Sequence, residues 1–570
     1  MPETSQAAAK PTPGPLAAAA TRLLFGPASP WLAPILAPRL PRLAGLLALG
    51  LLAAGLALVP PWLTKLVIDE GLMAGDARAL VLWAAALLAV GAVALGLSAL
   101  SNLLHMRASV AMLADLRRTL ARSVLARSPA WRARHQAGDL LSRLDGDAGE
   151  VQQFALSALL GGTGALLRLA GGAAMLFVLS WPLALAAVAL APAELGFLAW
   201  ARPRTAALAR TTREHRGRLA SGFSEMLQGL FPIQAARGEA AVAARLAEAQ
   251  AGLDTALLRA QAWGELTRGI PMLLSALARS AIFLAGGFMV ISGAWPLGSL
   301  IAFLAYLAFL TGPMQTLLGL WHGQARMRAA LDRLSGLMAP DDGLARPAVP
   351  RALPDGDGTL RLENVTAAAE GRVLFRGFSA EIPGGRKLRL AGPSGAGKSA
   401  LLALLQRHAD PESGRITLDG ADLRELSREE LRAAVALVPQ RPFLLRGTVA
   451  ENLRLTNPAA GHAEMASVVG LVGLAARFEG AGGLEARLGE DGLTLSGGER
   501  QRLCLARALL APFRVLILDE ALSEVDPETV RAIIAAIDAR HGERTRIIVT
   551  HGAEAAHEPF DAVLEIPAAP

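Results

Sequence analysis

Cysteine is almost absent from this chain, which has Cys504 as its one cysteine among 570 residues. A single cysteine excludes an intrachain disulfide, and we expect Cys504 to be a small core residue. The sequence also shows no apparent signal peptide. The first thirty or so residues are rich in alanine and proline and have no basic stretch leading into an apolar core. We expect residues 1–30 to form a disordered tail.

Apolar residues, in contrast, are abundant. Hydrophobic residues make up 53% of the chain, and the mean hydropathy is +0.39. Most of this excess lies before about Leu337, in six runs that each approach the ~20 residues a helix needs to cross ~30 Å of hydrocarbon. The runs cover roughly residues 43–67, 79–104, 155–179, 183–201, 269–291 and 297–320. They predict an α-helical membrane domain with six transmembrane helices over residues 31–337.

The net charge of +7 could indicate a nucleic-acid partner, but the arginines cluster between the apolar runs, as the positive-inside rule expects of cytoplasmic loops. We therefore predict a multi-pass plasma (inner) membrane protein in the lipid bilayer, with no nucleic-acid partner. Both termini and two long connections are expected in the cytoplasm. The connections have helix-forming composition, so they are either solvated hairpins or cytoplasmic helical extensions that act as levers on a motor.

Three charged residues fall inside the apolar runs: Arg168, Glu194 and Arg279. Counted from the outer loops, each lies at a depth of about 13 residues, or ~20 Å. Charge in a bilayer is costly and usually faces a partner or an aqueous cavity. Two interpretations remain open: a structural ion pair between Glu194 and one arginine, or a polar layer along a translocation path that favours an anionic cargo.

A Pro/Asp/Gly-rich linker over residues 338–357 separates this half from a second domain at residues 358–570. That domain contains G-x-x-x-x-G-K-[ST], the phosphate-binding loop, between a predicted strand at 387–391 and a predicted helix at 400–405. Backbone N–H groups of the loop and the helix N-terminus would bind phosphate, Lys398 would reach the β- and γ-phosphates, and Ser399 would bind magnesium. The predicted nucleotide-binding residues here are Gly392, Ser394, Gly395, Ala396, Gly397, Lys398, Ser399 and Ala400.

Further short motifs follow the loop in a specific order. Each is weak alone, since a Leu-Ser-Gly-Gly turn can be an ordinary helix cap and apolar strands often end in Asp-Glu. Together, and behind a phosphate-binding loop, their order and spacing are very specific. They comprise Gln440, the turn of Ser496, Gly497, Gly498 and Glu499, the strand end Asp519 and Glu520, and the later residues Asp526 and His551.

With these motifs the chain resembles an ATP-binding cassette (ABC) half-transporter of the exporter type. The resemblance covers nearly everything after the tail. In the membrane half it also depends on residues 67–72, 138–147 and 296–303, which are of moderate specificity. It implies an α/β P-loop cassette that binds ATP and Mg²⁺, fused to the six-helix membrane domain.

The resemblance also implies residue roles. Asp519 would hold Mg²⁺ with Ser399 and Gln440, Glu520 would polarise the attacking water, and His551 would stabilise charge on the γ-phosphate. The turn from Ser496 to Glu499 would face the phosphate loop of a second half-transporter, as a homodimer or a heterodimer. Two departures stand out: the family's adenine-stacking aromatic is replaced by alanine near Ala369, and residues 521–526 differ from the usual Ser-Ala-Leu-Asp segment.

The expected function is ATP-driven export by alternating access. The cargo stays open between a lipid or lipid-linked molecule, a peptide, a drug and a thiol. The alternative from another class is a membrane protein whose ATP cycle gates or regulates a partner without pumping. A soluble DNA-repair type of ATPase with similar motifs is excluded by the six apolar runs.

Overall fold

A computed structural model describes residues 30–189, 191–338, 344, 347, 349–369, 372–393, 395–489, 492, 494–550 and 559–567. The chain separates into two compact units. Of the described residues, the membrane unit contains 30–125 and those from 137 to 338. The cassette unit contains the remainder, including the short segment Ala126–Gln136, which lies between two stretches of the membrane unit in sequence.

Among the residues that the structure describes, the membrane unit has six helices long and apolar enough to cross a bilayer, as the apolar runs predict. They are α1 (Pro30–Leu72), α2 (Ala77–Leu125), α4 (Ala137–Leu179), α5 (Trp181–Gln228), α7 (Glu239–Ile291) and α8 (Leu297–Met338). With 42 to 53 residues each, they measure about 60–80 Å at ~1.5 Å per residue. That is about twice the thickness of a hydrocarbon core, so each helix extends well beyond the membrane, as the helical character of the long connections predicts.

Two short helices occupy the turns of the long connections. The first, α3 (Pro129–Ala133), begins at Ser128, whose hydroxyl accepts a hydrogen bond from the Trp131 N–H. It belongs to the cassette unit, where the Arg428 guanidinium donates to the Ala126 carbonyl at 3.3 Å. The second, α6 (Leu230–Ala235), belongs to the membrane unit. The two turns of the chain therefore have different surroundings.

Two sequence motifs of the membrane half join helices that are distant in sequence. The Asp69 carboxylate, in a π-helical turn at the end of α1, accepts the Gly298 N–H at the start of α8, at 2.7 Å. The nearly buried Asp147 carboxylate accepts two hydrogen bonds, at 2.7 and 2.6 Å, from Arg333 near the end of α8. A charge-assisted, bidentate pair of this kind is stronger than a neutral hydrogen bond. α8 is thus attached to its neighbours near both ends.

The cassette unit contains two main sheets. The antiparallel sheet has the order β2-β1-β4-β5, and the parallel sheet has the order β11-β3-β10-β9-β6. The strands are β1 (Leu360–Ala369), β2 (Arg372–Ile382), β3 (Lys387–Ala391), β4 (Ser413–Leu418), β5 (Ala421–Asp422), β6 (Val435–Val438), β7 (Gly447–Thr448), β8 (Arg487–Leu488), β9 (Val515–Asp519), β10 (Thr545–Val549) and β11 (Ala562–Glu565). Strands β7 and β8 form a separate pair.

Helices complete the cassette core. They are α9 (Lys398–Leu405), α10 (Arg428–Ala434), α11 (Val449–Leu453), α12 (His462–Leu471), α13 (Ala475–Glu479), α14 (Gly497–Leu509) and α15 (Pro527–His541). Strand β9 is buried over its first four residues, as an inner strand of a parallel sheet covered on both faces should be. Cys504 on α14 is 2% exposed within the helical core, which confirms its expected role as a small core residue.

Gly298 provides a test of the contact between α1 and α8. A β-carbon at this position would lie 2.5 Å from the Lys65 carbonyl oxygen and 2.6 Å from Asp69 Oδ1. We expect Gly298→Ala to lower the free energy of unfolding by about 1–3 kcal/mol, because the two helices must move apart. The measurement is thermal unfolding in detergent. Gly312→Ala, on the same helix with no atom within 4 Å of the new methyl group, is the control. Equal melting temperatures for the two variants would contradict this account of the motif.

Candidate functional site

The phosphate-binding loop lies between β3 and α9, as its sequence predicts. Gly397 ends the loop with φ +96°, and a β-carbon there would lie 3.0 Å from Phe375 Cδ1. Both the left-handed backbone and the close aromatic ring require glycine at this position. Gly395 has φ +83°, whereas Ser394 lies outside the described residues. The loop therefore has the glycine-dependent conformation that allows backbone N–H groups to surround a phosphate.

Lys398 is bent back over this loop. Its ammonium group donates to the carbonyl of Gly392 at 2.7 Å and to that of Pro393 at 3.2 Å. Ser399 and Ala400 follow in the first turn of α9. Four buried leucines on this helix, at 401, 402, 404 and 405, hold it against the core. The lysine is thus positioned beside the anion-binding end of a rigid helix.

The parallel sheet brings Gln440, Asp519 and Glu520 to the same edge as the loop. Strands β3, β10, β9 and β6 run parallel, with Val438 opposite Leu518 and Asp519 opposite Val549. Residues that follow the carboxyl ends of such strands meet at one edge, where α/β folds bind ligands. The Gln440 side-chain amide donates to Glu520 Oε2 at 2.6 Å. These predicted site residues are therefore neighbours in space.

Glu520 has an unusual backbone conformation. Its φ is +48°, and its N–H donates to the Val549 carbonyl at 3.1 Å. A left-handed conformation costs a non-glycine residue free energy, and residues held in it are enriched at functional sites. Together with the Gln440 contact, it holds the Glu520 carboxylate at the strand end. His551, the other predicted catalytic residue, lies outside the described residues.

The Leu-Ser-Gly-Gly turn begins α14. The Ser496 hydroxyl accepts the Glu499 N–H, and the Glu499 carboxylate accepts the Ser496 N–H, which completes a reciprocal helix cap. Glu499 also pairs with Arg477 at 3.1 Å. The carboxylate of this predicted nucleotide-binding residue is thus engaged in shaping the turn. The N–H groups of Gly497 and Gly498 stand at the helix N-terminus, where an anion is stabilised.

The turn and the phosphate loop are separate places in this chain. No hydrogen bond or ion pair joins Ser496–Glu499 to residues 392–400 within the part of the chain that the structure describes. The turn packs instead on the segment after Glu520, where the Glu524 N–H donates to the Gln501 side chain at 2.9 Å. Asp526 then caps α15 by accepting the Thr529 N–H, and this hydrogen bond holds the pKa of Asp526 below its usual range.

Glu524 is a residue whose role the sequence did not reveal. Its Oε2 lies against Gly497, so that a β-carbon on Gly497 would overlap it, and its carbonyl oxygen would lie 2.6 Å from a β-carbon on Gly498. A carboxylate therefore stands beside the N–H groups that the resemblance assigns to a γ-phosphate. The sequence feature that could have revealed this role is the departure from the family's Ser-Ala-Leu-Asp segment, because Glu524 stands where the family has alanine.

The three intramembrane charges belong to two different cavities. Glu194 and Arg279 line a small cavity of about 120 Å³ between α5, α7 and α8. They form no ion pair with each other in the described structure, and the Arg279 side chain donates to the Ser275 carbonyl at 3.4 Å. Arg168 lines another cavity, of about 470 Å³.

Comparison with known families identifies both halves of the chain. The family described as "ABC transporter transmembrane region" matches residues 43–314, and the family described as "ABC transporter" matches residues 375–523. Between them they match most of the chain. The chain belongs to the ABC transporters. With six spanning helices fused to one cassette, it is a half-transporter of the exporter type and an ATPase coupled to transport.

Curated relatives match this ABC exporter over most of its length. An ATP-dependent lipid A-core flippase from Salmonella typhimurium is 28% identical over 516 residues, which is 88% of this chain and 88% of the relative. A multidrug efflux ATP-binding/permease protein from Mycobacterium tuberculosis is 31% identical over 518 residues, which is 89% of this chain and 42% of the relative.

A solved structure shares the fold. The structure of a bacterial Atm1-family ABC exporter with ATP bound superposes with a TM-score of 0.79 at 23% identity, covering 93% of this chain and 94% of that chain. At this level of identity the similarity establishes the fold of both halves.

Removal of the Glu524 charge tests its position beside the turn. We expect Glu524→Ala and Glu524→Gln each to lower the ATP concentration for half-maximal ATPase activity by about threefold or more, because a like charge no longer opposes the phosphate. The measurement is steady-state ATPase against ATP concentration, with Glu528→Gln as the control. If only the alanine variant responds, the side-chain volume matters rather than the charge, and the electrostatic explanation is wrong.

Proposed function

We propose that the chain is one subunit of a dimeric exporter that uses ATP hydrolysis to move an organic cargo by alternating access. The observation that carries this proposal is the contact between Gln440 and Glu520 at the edge of the sheet where the phosphate-binding loop begins. A carboxylate held by an amide beside a phosphate site is the arrangement that orients and polarises an attacking water. The curated relatives are named for ATP-dependent lipid A-core flipping and for multidrug efflux, and both names describe the movement of an organic molecule by an ATP-binding protein.

The donor set at this edge suits magnesium. Mg²⁺ prefers oxygen ligands and usually keeps several waters, with few protein groups and the substrate phosphates completing its shell. The hydroxyl of Ser399, the carboxylate of Asp519 and the side-chain oxygen of Gln440 are such ligands. We propose that these three hold the ion. When bound, it would neutralise charge on the phosphates.

We propose roles for the remaining residues, from their positions for Lys398 and Glu520 and from the family resemblance alone for His551. Lys398 would turn from the loop carbonyls towards the β- and γ-phosphates, with the N–H groups of the loop around them. Glu520 would accept a proton from the attacking water, and His551 would stabilise charge on the γ-phosphate. These steps require the strand ends to stay in register, because a displaced carboxylate cannot align the water.

A second half-transporter completes the site in this proposal. The Leu-Ser-Gly-Gly turn has N–H groups suited to a γ-phosphate but makes no hydrogen bond to the loop of its own chain in the described structure. Pairing two chains would bring the turn of each to the loop of the other. This arrangement explains why one chain contains one cassette and why hydrolysis would respond to closure of a pair.

The turn at α6 presents a surface for that partner. Its apolar side chains are exposed in the single chain: Phe231 is 79% exposed and Leu230 is 49% exposed. Exposed aromatic anchors of this kind are typical of protein interfaces. Since the α3 turn already lies in the cassette unit of its own chain, we propose that the α6 turn binds the cassette of the partner. This cassette would be cytoplasmic, in keeping with the arginine-rich connections.

Substitution of Glu520 tests the hydrolytic role. We expect Glu520→Gln to bind ATP normally but to lower the hydrolysis rate by about 10²–10⁴-fold, the usual contribution of a general base. Single-turnover hydrolysis and equilibrium ATP binding on the purified chain are the measurements, since a partner's site could mask the effect in steady state. Glu543→Gln, on the exposed turn before β10, is the control. Hydrolysis near the wild-type rate would remove Glu520 from this role.

Substitution of Phe231 tests the partner surface. We expect Phe231→Ser to lower the ATPase rate by about 5–30-fold with unchanged ATP affinity, because an interface aromatic contributes about 1–2 kcal/mol. Val349→Ser removes another apolar side chain that is 86% exposed and should change neither quantity. A wild-type rate in Phe231→Ser would show that the α6 turn is not part of the cassette contact.

A further inference from the structure

We infer that the membrane unit contains a binding site for the anionic group of its cargo, with Arg168 as the group that binds it. The site is the cavity of about 470 Å³ between α1, α2, α4 and α8, here called the polar cavity. Its volume lies within the range of small-molecule sites. The inference rests on the proposed function, because an exporter must recognise its cargo within the membrane.

One helix contributes a stripe of polar side chains to the polar cavity. Ser98, Ser101, Asn102 and His105 on α2 all line it. Their spacing of three, four and seven residues places them on one helical face. Residues 79–97 of the same 49-residue helix are all apolar or glycine, and polar residues in a spanning segment normally face a partner or water. The stripe thus marks a face of α2, next to its apolar stretch, that is suited to water or a polar ligand.

Small residues on α4 and α8 leave space in the polar cavity opposite this stripe. On α4 the lining residues Ser157, Gly161, Gly164 and Arg168 recur at helical spacing, and on α8 the small residues Gly319 and Gly323 recur in the same way. A β-carbon on Gly164 would lie 3.9 Å from a guanidinium nitrogen of Arg168. Glycine at this position therefore leaves space beside the charged group.

The charge of the polar cavity is unbalanced. Arg326 and Glu150 both line it and form an ion pair at 3.5 Å. Arg168 makes no hydrogen bond or ion pair with any residue that the structure describes. An ionised group within a bilayer is costly when nothing compensates its charge. An anion in the polar cavity would supply that compensation.

Glu194, the carboxylate among the three intramembrane charges, does not line the polar cavity. Glu194 is 5% exposed and lines the smaller cavity with Arg279. The three charges therefore do not form the single polar layer that the sequence suggested. Arg168 lies in a different cavity from Glu194, and no described carboxylate in its own cavity pairs with it. A guanidinium binds carboxylate or phosphate through two parallel hydrogen bonds. The hydroxyl and amide groups of Ser101 and Asn102 could donate to the remaining oxygens.

Charged thiol reagents can measure the sign of the electrostatic potential in the polar cavity without knowledge of the cargo. Ser101→Cys or Ser98→Cys in the full chain in nanodiscs places a reporter on the α2 stripe, and the buried Cys504 of the parent chain gives the blank. We divide the rate of each reagent by its rate with a free thiol in solution, and we expect this normalised rate to be higher for the anionic sulfonatoethyl methanethiosulfonate than for its cationic trimethylammonium counterpart. Adding Arg168→Met should lower this anion-to-cation rate ratio by about fivefold or more, because a nearby fixed charge is removed.

The controls separate Arg168 from arginine in general. Arg168→Lys keeps the charge and should keep the preference for the anion, and it also serves if the methionine variant does not fold. Arg279→Met removes an arginine from the other cavity and should leave the ratio unchanged. Equal effects of the two methionine substitutions, or no reaction at either reporter, would overturn the inference. The ratio is measured without ATP, so its failure is distinct from failure of the hydrolytic proposal.

Two sources of the anion can then be told apart by ATPase stimulation. Nanodiscs containing phosphatidylglycerol test a lipid headgroup against phosphatidylcholine, and added glutathione tests a soluble anion. Stimulation by either, lost in Arg168→Met but kept in Arg279→Met, identifies the source. Stimulation by neither anion, with basal ATPase intact, would overturn the assignment of this cavity to cargo.

Discussion

The parallel register of β3, β10, β9 and β6 is the constraint on which the nucleotide site depends. It places strand ends that are far apart in sequence at one edge, so that Gln440 contacts Glu520 at the edge where the loop after β3 begins. The left-handed backbone of Glu520 and its contact with Gln440 exist because the strand ends are held there. A sheet slipped by one residue would turn these side chains to the other face.

In the membrane unit, contacts between helices that are distant in sequence set the arrangement of side chains in the same way. Asp69 binding the Gly298 N–H and Asp147 binding Arg333 set how α8 lies against α1 and α4. That packing places the small residues of α8 opposite the polar stripe of α2.

Sequence reasoning was accurate where the signal was local. The six apolar runs predicted six spanning helices because transmembrane length depends only on consecutive residues, and the glycine spacing of the phosphate loop predicted its strand and helix. It missed the α2 stripe because the serines and Asn102 are common polar residues that become informative only beside Arg168. It noted the departure after Glu520 but not its consequence, because the contact between Glu524 and Gly497 joins residues 27 positions apart.

The sequence by itself determined the number of spanning helices, the order of the two domains and the family of the ATPase, since each depends on short, contiguous patterns. Only the tertiary structure decided which of the three intramembrane charges share a cavity. Arg168, Glu194 and Arg279 were indistinguishable by depth along their helices, but rotation about the helix axis directs Glu194 and Arg279 into one cavity and Arg168 into another. That rotation is set by contacts between helices distant in sequence, and no local pattern encodes it.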